Sequence, residues 1–277
     1  MLICLPPSEG KTPAPQGAAP VDLDALSSPP LTPQRTAVLE ALASVSVRPD
    51  ATTLLGVGDG LAAEVARNVH LKSAPAAPAA LVYTGVLYAA AGLADLPPDA
   101  ATRAEDGVRI FSGLWGAVTP FDRIPAYRLS MGVELPGVGR LASGWRTPLA
   151  EALDDRAAGD VVVDCRSAAY VGAWKPQTSG PGAADWVTVR VVREAHGKRT
   201  VVSHNAKHTR GVLTGHLLRR AGAPPTSAAE LVEAARELDG QVIGTEVGTG
   251  LSYRMVEATL HDAATRRGPR TLELVIA

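Results

Sequence analysis

Cysteine, aromatic residues, net charge and long apolar runs are all scarce in this 277-residue chain. Its two cysteines, Cys4 and Cys165, make neither a disulfide framework nor a zinc site, which favours a reducing compartment. Both have apolar neighbours, so we expect them in buried strands. No run approaches the ~20 apolar residues of a membrane helix, and the apolar start at residues 2–5 is too short for a signal peptide. We therefore expect a cytoplasmic protein that does not bind a membrane.

The balance of charges excludes a surface that is basic all over. The net charge is −1 at pH 7, so any site for an anion must be local. With 46% hydrophobic and 20% charged residues, the chain is typical of a globular protein with a full core. Strand patterns alternate with helix patterns and end in a group of strands. This order predicts a mixed α/β (α+β) fold, one compact domain over residues 1–277 with a central mixed sheet.

Positive charge is concentrated between Val187 and Arg220. Eight Lys or Arg residues there oppose one acid, Glu194. Residues 186–203 predict a β-hairpin, and the following segment to Arg220 predicts a polar turn at residues 203–205 and then a helix. We interpret Arg219 and Arg220 as a solvated basic face at the end of that helix, where they suit its dipole.

The start of the predicted helix is the strongest candidate for an anion site. A helix N-terminus presents backbone N–H groups without partners, which attract negative charge. Two cations three residues apart point from the same side of its first turns. The candidate residues are His204, Asn205, Lys207 and Arg210.

Two more polar loops follow predicted buried strands. Ser8 and Lys11 follow the strand at residues 1–5, and Asp164, Arg166 and Ser167 follow the strand at residues 161–163. Ligands commonly bind at such strand ends in α/β folds, so we expect anion contacts in both loops, with a solvated loop as the alternative for Lys11. Gly10-Lys11-Thr12 matches the end of a P-loop, but that motif requires glycine where this chain has Leu5.

An aromatic segment is the candidate wall of a pocket. It holds both phenylalanines, with glycines and prolines that make tight turns between residues 111 and 132. A loop that fills the core fits the same pattern. The residues that we expect around a pocket are Tyr88, Trp115, Tyr127 and the cation Arg128.

A third candidate is the turn at Gly56-Val57-Gly58. Residues 33–68, beginning with an amphipathic helix capped by Thr32, resemble a helix-hairpin-helix element, in which glycines let the backbone approach a phosphate. A dinucleotide-binding turn would need glycine or alanine where Leu61 stands. A plain glycine turn between packed helices fits equally well.

Several segments together resemble one protein family. They are Pro6–Thr12, Tyr83–Tyr88, Ser112–Gly116, Pro120–Asp122, Tyr127-Arg128-Leu129-Ser130-Met131-Gly132, Asp164–Tyr170 and Ser203–Gly211. In this order the chain resembles the bacterial YaaA family of peroxide-stress proteins. The resemblance implies an α/β fold with a positively charged cleft, a helix-hairpin-helix element, DNA binding and a cytoplasmic role in limiting iron-driven oxidative damage. It implies no particular reaction.

The chain departs from the family pattern in three places. Glu9 weakens the cationic character of the opening loop, although Lys11 is kept. The Gly56–Gly58 turn is richer in glycine than we expect of the family, which favours phosphate contact. His208 stands where the family more often has lysine, so a fixed charge becomes a titratable one.

The sequence suggests three candidate functions. The first is DNA binding, with bent, bulged or damaged duplex suiting a cleft better than plain duplex. The second is an enzyme that acts on a small anionic or nucleoside-like substrate, without an assignable nucleophile and base. The third, a metal site at His204 and His208, lacks the acidic partners of a metal motif, so we expect no metal and no cofactor.

Overall fold

The computed structural model describes residues 1–201, 204–245 and 252–277. For His204 it describes the backbone alone. The predicted turn residue Ser203 and the predicted strand end at Glu246 lie outside the described residues. Apolar segments rich in valine and isoleucine form the central strands, as their β propensity predicts. The strands are β1 (Leu2–Leu5), β2 (Ala77–Pro78), β3 (Val108–Ser112), β4 (Gly116–Val118), β5 (Arg123–Ile124), β6 (Glu134–Leu135), β7 (Gly139–Arg140), β8 (Val161–Asp164), β9 (Asp185–Ala195), β10 (Lys198–Val201), β11 (Val242–Thr245), β12 (Ser252–His261) and β13 (Arg270–Ile276).

A nine-stranded mixed sheet organises the fold, as the sequence predicts. Its order is β11-β12-β13-β9-β8-β1-β3-β4, and β10 pairs with the C-terminal end of β9. Strands β3, β1, β8, β9 and β13 are parallel to one another, while β4, β10, β11 and β12 add antiparallel pairs. Every residue of β1 and β8 is buried, which explains their unbroken apolar runs.

The strand order reverses between β1 and β8. From β1 the chain moves outward to β3, and it then returns to β8 on the other side of β1 before moving outward again to β9. Such a switch leaves a crevice beyond the carboxyl ends of the two strands, where open α/β sheets bind ligands. The loops that the sequence analysis singled out, at residues 6–12 and 165–170, leave these two ends.

The helices are mostly short. They are α1 (Thr32–Ser46), α2 (Ala51–Leu54), α3 (Ala62–Arg67), α4 (Ala79–Val82), α5 (Val86–Ala91), α6 (Pro98–Gly107), α7 (Leu141–Gly144), α8 (Arg146–Ala157), α9 (Ala168–Val171), α10 (His204–Arg219) and α11 (Ala228–Arg236), with 3-10 turns at Pro29–Leu31, Asp59–Leu61 and Asn68–His70. Helix α10 packs against β9 and α5, and α11 packs against β9 and β12.

Two predictions about helix starts have different outcomes. The spacing of Ser227 and Glu230 predicts a capping box, with Thr226 as the alternative cap, and the Ser227 side chain does cap α11 by accepting from the N–H of Glu230 at 3.3 Å. Thr32 was expected to cap the first helix, but α1 begins at Thr32 itself, after the 3-10 turn that ends at Leu31, with no side-chain cap. The predicted apolar face of α1 is confirmed, because Val38 and Leu42 are fully buried.

Glycine brings α10 close to α5. A Cβ atom at Gly211 would lie 2.2 Å from the carbonyl oxygen of Leu87, and one at Gly215 would lie 2.8 Å from that of Ala91. Only glycine permits this approach of two backbones. The contact fixes the first turns of α10, which carry Lys207, beside the crevice at the ends of β1 and β8.

Candidate functional site

A cavity of about 880 Å³ lies at the carboxyl ends of β1 and β8. Its volume is in the usual range of small-ligand sites, about 300–1,000 Å³. The β1 loop, the glycine turn at residues 55–58, the segment at 84–88, the β8 loop and the first turns of α10 all line it. Predicted site residues that line the cavity are Ser8, Lys11, Gly56, Gly58, Tyr88, Arg128, Ser167, Lys207 and Arg210.

Lys11 lies at the inner side of this cavity. Its loop is held against the neighbouring segment, because Thr12 N–H donates to the carbonyl of Val82 at 2.9 Å and Thr84 N–H donates to that of Gly10 at 3.3 Å. The Lys11 amine donates to the carbonyl oxygen of Ser8 at 2.6 Å. Burial, and next the charge of Arg128, lower the pKa of Lys11 from its ordinary 10.5 to about 7.

Arg128 is held by a helix of the predicted helix-hairpin-helix segment. Its Nε and Nη2 donate to one carboxylate oxygen of Glu64, at 2.9 and 2.5 Å. Asn68 donates to the Arg128 carbonyl and accepts from the Arg128 N–H, both at 2.9 Å. Glu64 and Asn68 are not among the residues predicted from the sequence. Their spacing of four on one helical face was the available signal.

Lys207 and Arg210 reach the cavity from α10, but their situations differ. Lys207 is exposed, and its amine has no hydrogen bond or ion pair within the described part of the chain. Arg210 is half-buried and donates through Nε and Nη2 to the carbonyl oxygen of Val189, at 3.0 and 2.7 Å. Arg210 therefore ties α10 to β9, whereas Lys207 is available for a ligand. Asn205 is buried and does not line the cavity.

The glycine turn borders the cavity between two short helices, α2 and α3. Gly56 has a φ of +64°, which favours glycine, and a Cβ atom there or at Gly58 would meet nothing within 4 Å. The N–H groups of Gly56 and Val57 donate within the turn, to the carbonyls of Thr53 and Thr52. These two N–H groups are therefore already engaged within the turn. A helix-hairpin-helix function for this segment stays a prediction.

Asp164 and Arg166 differ from the expectation that they face the pocket. The Arg166 guanidinium donates Nε to one carboxylate oxygen of Asp164 at 2.8 Å and Nη2 to the other at 2.7 Å. Both side chains are fully buried, and the guanidinium carbon lies 4.1 Å from the centroid of the Phe111 ring. The indole N–H of Trp186 also donates to Asp164 at 3.0 Å. This pair belongs to the core, because a residue after a strand end can turn inward.

The aromatic segment mostly fills the core, which was the alternative interpretation of its sequence, although Phe121 is exposed. Trp115 is fully buried and packs edge-on to Tyr127, and it does not line the large cavity. Tyr127 lies beneath Lys11, whose amine is 4.5 Å from the ring centroid. Tyr88 does line the cavity, and its hydroxyl donates to the Pro6 carbonyl at 2.6 Å.

Most of the basic stretch serves the fold. Arg219 donates to the last carbonyls of α5, at Ala91 and Gly92, instead of being simply solvated. Arg220 pairs with Glu237 at 2.5 Å. Further pairs join Arg190 to Glu273 and Arg199 to Glu194, Glu257 and Glu273.

Two of the three histidines on α10, His208 and His216, would be solvent-exposed on a simple basic helix face, and the structure differs. Both are half-buried: Nε2 of His208 contacts the Ile243 carbonyl at 2.8 Å, and that of His216 contacts the Ala234 carbonyl at 2.9 Å. Over the residues with described positions, no cluster of three His, Cys, Asp or Glu side chains is arranged to hold a metal. In the same residues no helix is long and apolar enough to span a membrane.

Comparisons with known proteins point to one family. A family model described as "Peroxide stress protein YaaA" matches residues 1–237. A UPF0246 protein of Streptomyces coelicolor is 48% identical over 244 residues, which cover 87% of this chain and 92% of the relative. A UPF0246 protein of Corynebacterium efficiens is 40% identical over 241 residues, covering 85% and 92%. One of Corynebacterium glutamicum is 38% identical over 218 residues, covering 77% and 83%.

Proposed function

The chain belongs to the YaaA family of peroxide stress proteins, and from this premise we propose that it is a cytoplasmic DNA-binding protein that holds nucleic-acid phosphates at the cavity. The observation that supports the proposal is the convergence of four basic side chains from three distant segments. Lys11, Arg128, Lys207 and Arg210 all line one cavity in a chain whose net charge is −1. Phosphate contacts from lysine and arginine supply most of the affinity of nonspecific DNA binding.

The size of the cavity bears on the form of DNA. About 880 Å³ accommodates one nucleotide and not a duplex. A nucleotide leaves the stack at the lowest cost where it is mismatched, damaged or already unpaired. We therefore expect bulged or damaged duplex to bind more tightly than plain duplex, with the flanking phosphates near Lys207.

Binding of labelled duplexes, followed by fluorescence anisotropy, tests the proposal. The variant Lys207→Ala changes an exposed side chain without a described partner, so its fold should be intact. We expect it to weaken binding to plain and bulged duplex, and Lys207→Ala with Arg210→Ala to weaken it further. Lys198→Ala is the matched control, because Lys198 is exposed in the same basic stretch but lies outside the cavity lining. Equal affinity of wild type and the double variant would refute the proposal.

A second candidate function is an enzyme for a small anionic or nucleoside-like substrate. The cavity volume of about 880 Å³ and the mixture of basic side chains with Tyr88 and Tyr170 in the lining favour it. Nucleotides that protect the folded protein against heat, without competing for duplex, would favour this candidate over DNA binding.

A further inference from the structure

Lys11 differs from the other four lysines in its surroundings. Lys72 pairs with Glu40 at 2.9 Å on the surface, and Lys175, Lys198 and Lys207 are exposed. Lys11 is half-buried, lines the cavity, and has no carboxylate partner within the described residues. An amine in this situation is the kind that serves proteins as a base or as the nucleophile in imine formation.

The contacts of the Lys11 amine suit its neutral form. Nζ has two carbonyl acceptors, the oxygens of Ser8 at 2.6 Å and Glu9 at 3.4 Å. A neutral amine has two N–H donors and one lone pair, so these acceptors can take both donors and leave the lone pair for a ligand. The faces of the Tyr127 and Tyr83 rings lie beneath Nζ, with centroids 4.5 and 5.6 Å away; they shield it from water, although a ring face by itself favours a protonated amine.

The charged neighbours of Lys11 reinforce this state. Arg128, on the same side of the cavity, disfavours a second positive charge at Lys11. Glu64 is the carboxylate that most favours a charged Lys11, but it is engaged by the Arg128 guanidinium at 2.5 Å. Glu9 is exposed, and its contact with the amine is through its backbone carbonyl. Burial is the largest effect and, with Arg128, holds the pKa of Lys11 near 7.

We propose that Lys11 forms an imine with the aldehyde of a phosphorylated sugar held in this cavity, in the first place the ring-opened deoxyribose of an abasic site in DNA. The choice of DNA rests on the proposed function. The lone pair of the amine attacks the aldehyde carbon, a C–N bond forms, and the carbonyl oxygen leaves as water with the two amine hydrogens. No oxidant or reductant is consumed. The cations Arg128 and Lys207 hold the adjacent phosphates.

An abasic sugar fits the site better than an intact nucleotide. It has no base to unstack, so the cost of extruding it into the cavity is low. The cavity volume of about 880 Å³ is ample for a sugar with its phosphates. Free sugar phosphates share the aldehyde and the phosphate, so the experiment includes one.

Borohydride trapping tests the proposal on the full chain. The probes are a duplex with one abasic site, the intact duplex of the same sequence, and free 2-deoxyribose 5-phosphate. Wild type and Lys72→Met should give a borohydride-stable adduct with the abasic duplex and none with the intact duplex, and Lys11→Met should lose the adduct. Lys11→Arg keeps the charge and removes the nucleophile, so it decides the matter if Lys11→Met does not fold.

The location of the adduct gives a second readout. Peptide mapping should place it on Lys11, and an adduct on Lys207 or one that persists in Lys11→Arg would overturn the proposal. Trapping of the free sugar phosphate alone at Lys11 would support the amine chemistry and assign it to a small substrate. Duplex binding without any trapping would overturn this inference and leave the proposed function standing. Trapping of free 2-deoxyribose 5-phosphate at Lys11 without any duplex binding would overturn the proposed function and leave the amine chemistry of Lys11 standing.

Discussion

The pair Asp164–Arg166 offers a sharp test of how the β8 loop is used. Removal of the carboxylate by Asp164→Ala deprives the buried Arg166 guanidinium of its bonds of 2.8 and 2.7 Å to Asp164 and leaves it the Tyr170 carbonyl, 3.3 Å from Nη1. It also removes the acceptor of the Trp186 indole N–H. Breaking a fully buried ion pair in this way costs about 3–5 kcal/mol of unfolding free energy. We expect a loss of that size in urea denaturation.

The double variant Asp164→Leu with Arg166→Met separates charge from packing. Two apolar side chains of similar volume often replace a buried ion pair at little or no cost. The free energy of unfolding of this double variant should therefore exceed that of Asp164→Ala by about 2 kcal/mol or more. Because Arg166 does not face the cavity, the folded double variant should bind DNA like wild type. A cost below about 1 kcal/mol for Asp164→Ala, or a folded double variant with weakened DNA binding, would refute the structural role.

Three further perturbations test how the cavity is built. Gly211→Ala should lower the free energy of unfolding by about 1–2 kcal/mol, after the gain in helix propensity is subtracted from the cost of the clash with Leu87. In the control Gly60→Ala the new Cβ atom meets nothing within 4 Å, so the free energy of unfolding should be nearly unchanged. Equal stabilities of the two variants would contradict the close contact of α10 with α5. Asn68→Ala should cost about 1–3 kcal/mol for each backbone group of Arg128 left unpaired, and a urea midpoint equal to wild type would exclude that role. The pKa of Lys11 is 10.5 in the unfolded state and about 7 in the folded state, so the unfolded state binds the proton more tightly. The stability of wild type relative to Lys11→Met should therefore rise as the pH rises from about 7 to 10.5. A difference in melting temperature between the two proteins that does not change with pH would contradict this expectation.

Local sequence patterns predicted the central strands and the position of the cavity at their ends. The apolar run at residues 161–163 and the polar residues after it have the character of a buried parallel strand and its loop, and the structure confirms both. The helix after the polar turn was also predicted, although it begins at His204, within the residues predicted as the turn. Such signals are local, because they depend on neighbours within a few residues.

The partners of each charged side chain could not be predicted in this way. Arg166 and Lys11 both follow strand ends, yet Arg166 turns into the core to meet Asp164, and Lys11 lies in the cavity. The pairing of Arg128 with Glu64 spans 64 residues of sequence. Arg219 similarly bonds to carbonyls at the end of α5, a contact that depends on helix packing. Charge density therefore located the region and overstated the number of cations left for a ligand.

The salt dependence of DNA binding by Lys207→Ala tests the central claim most directly. Each phosphate neutralised by a cation contributes about 0.9 to the slope of log affinity against log salt concentration. If Lys207 contacts a phosphate at the cavity, the slope of the variant should be shallower than that of wild type by about this amount, and that of Lys198→Ala should be unchanged. A Lys207→Ala slope equal to that of wild type, or the same change in Lys198→Ala, would contradict the account.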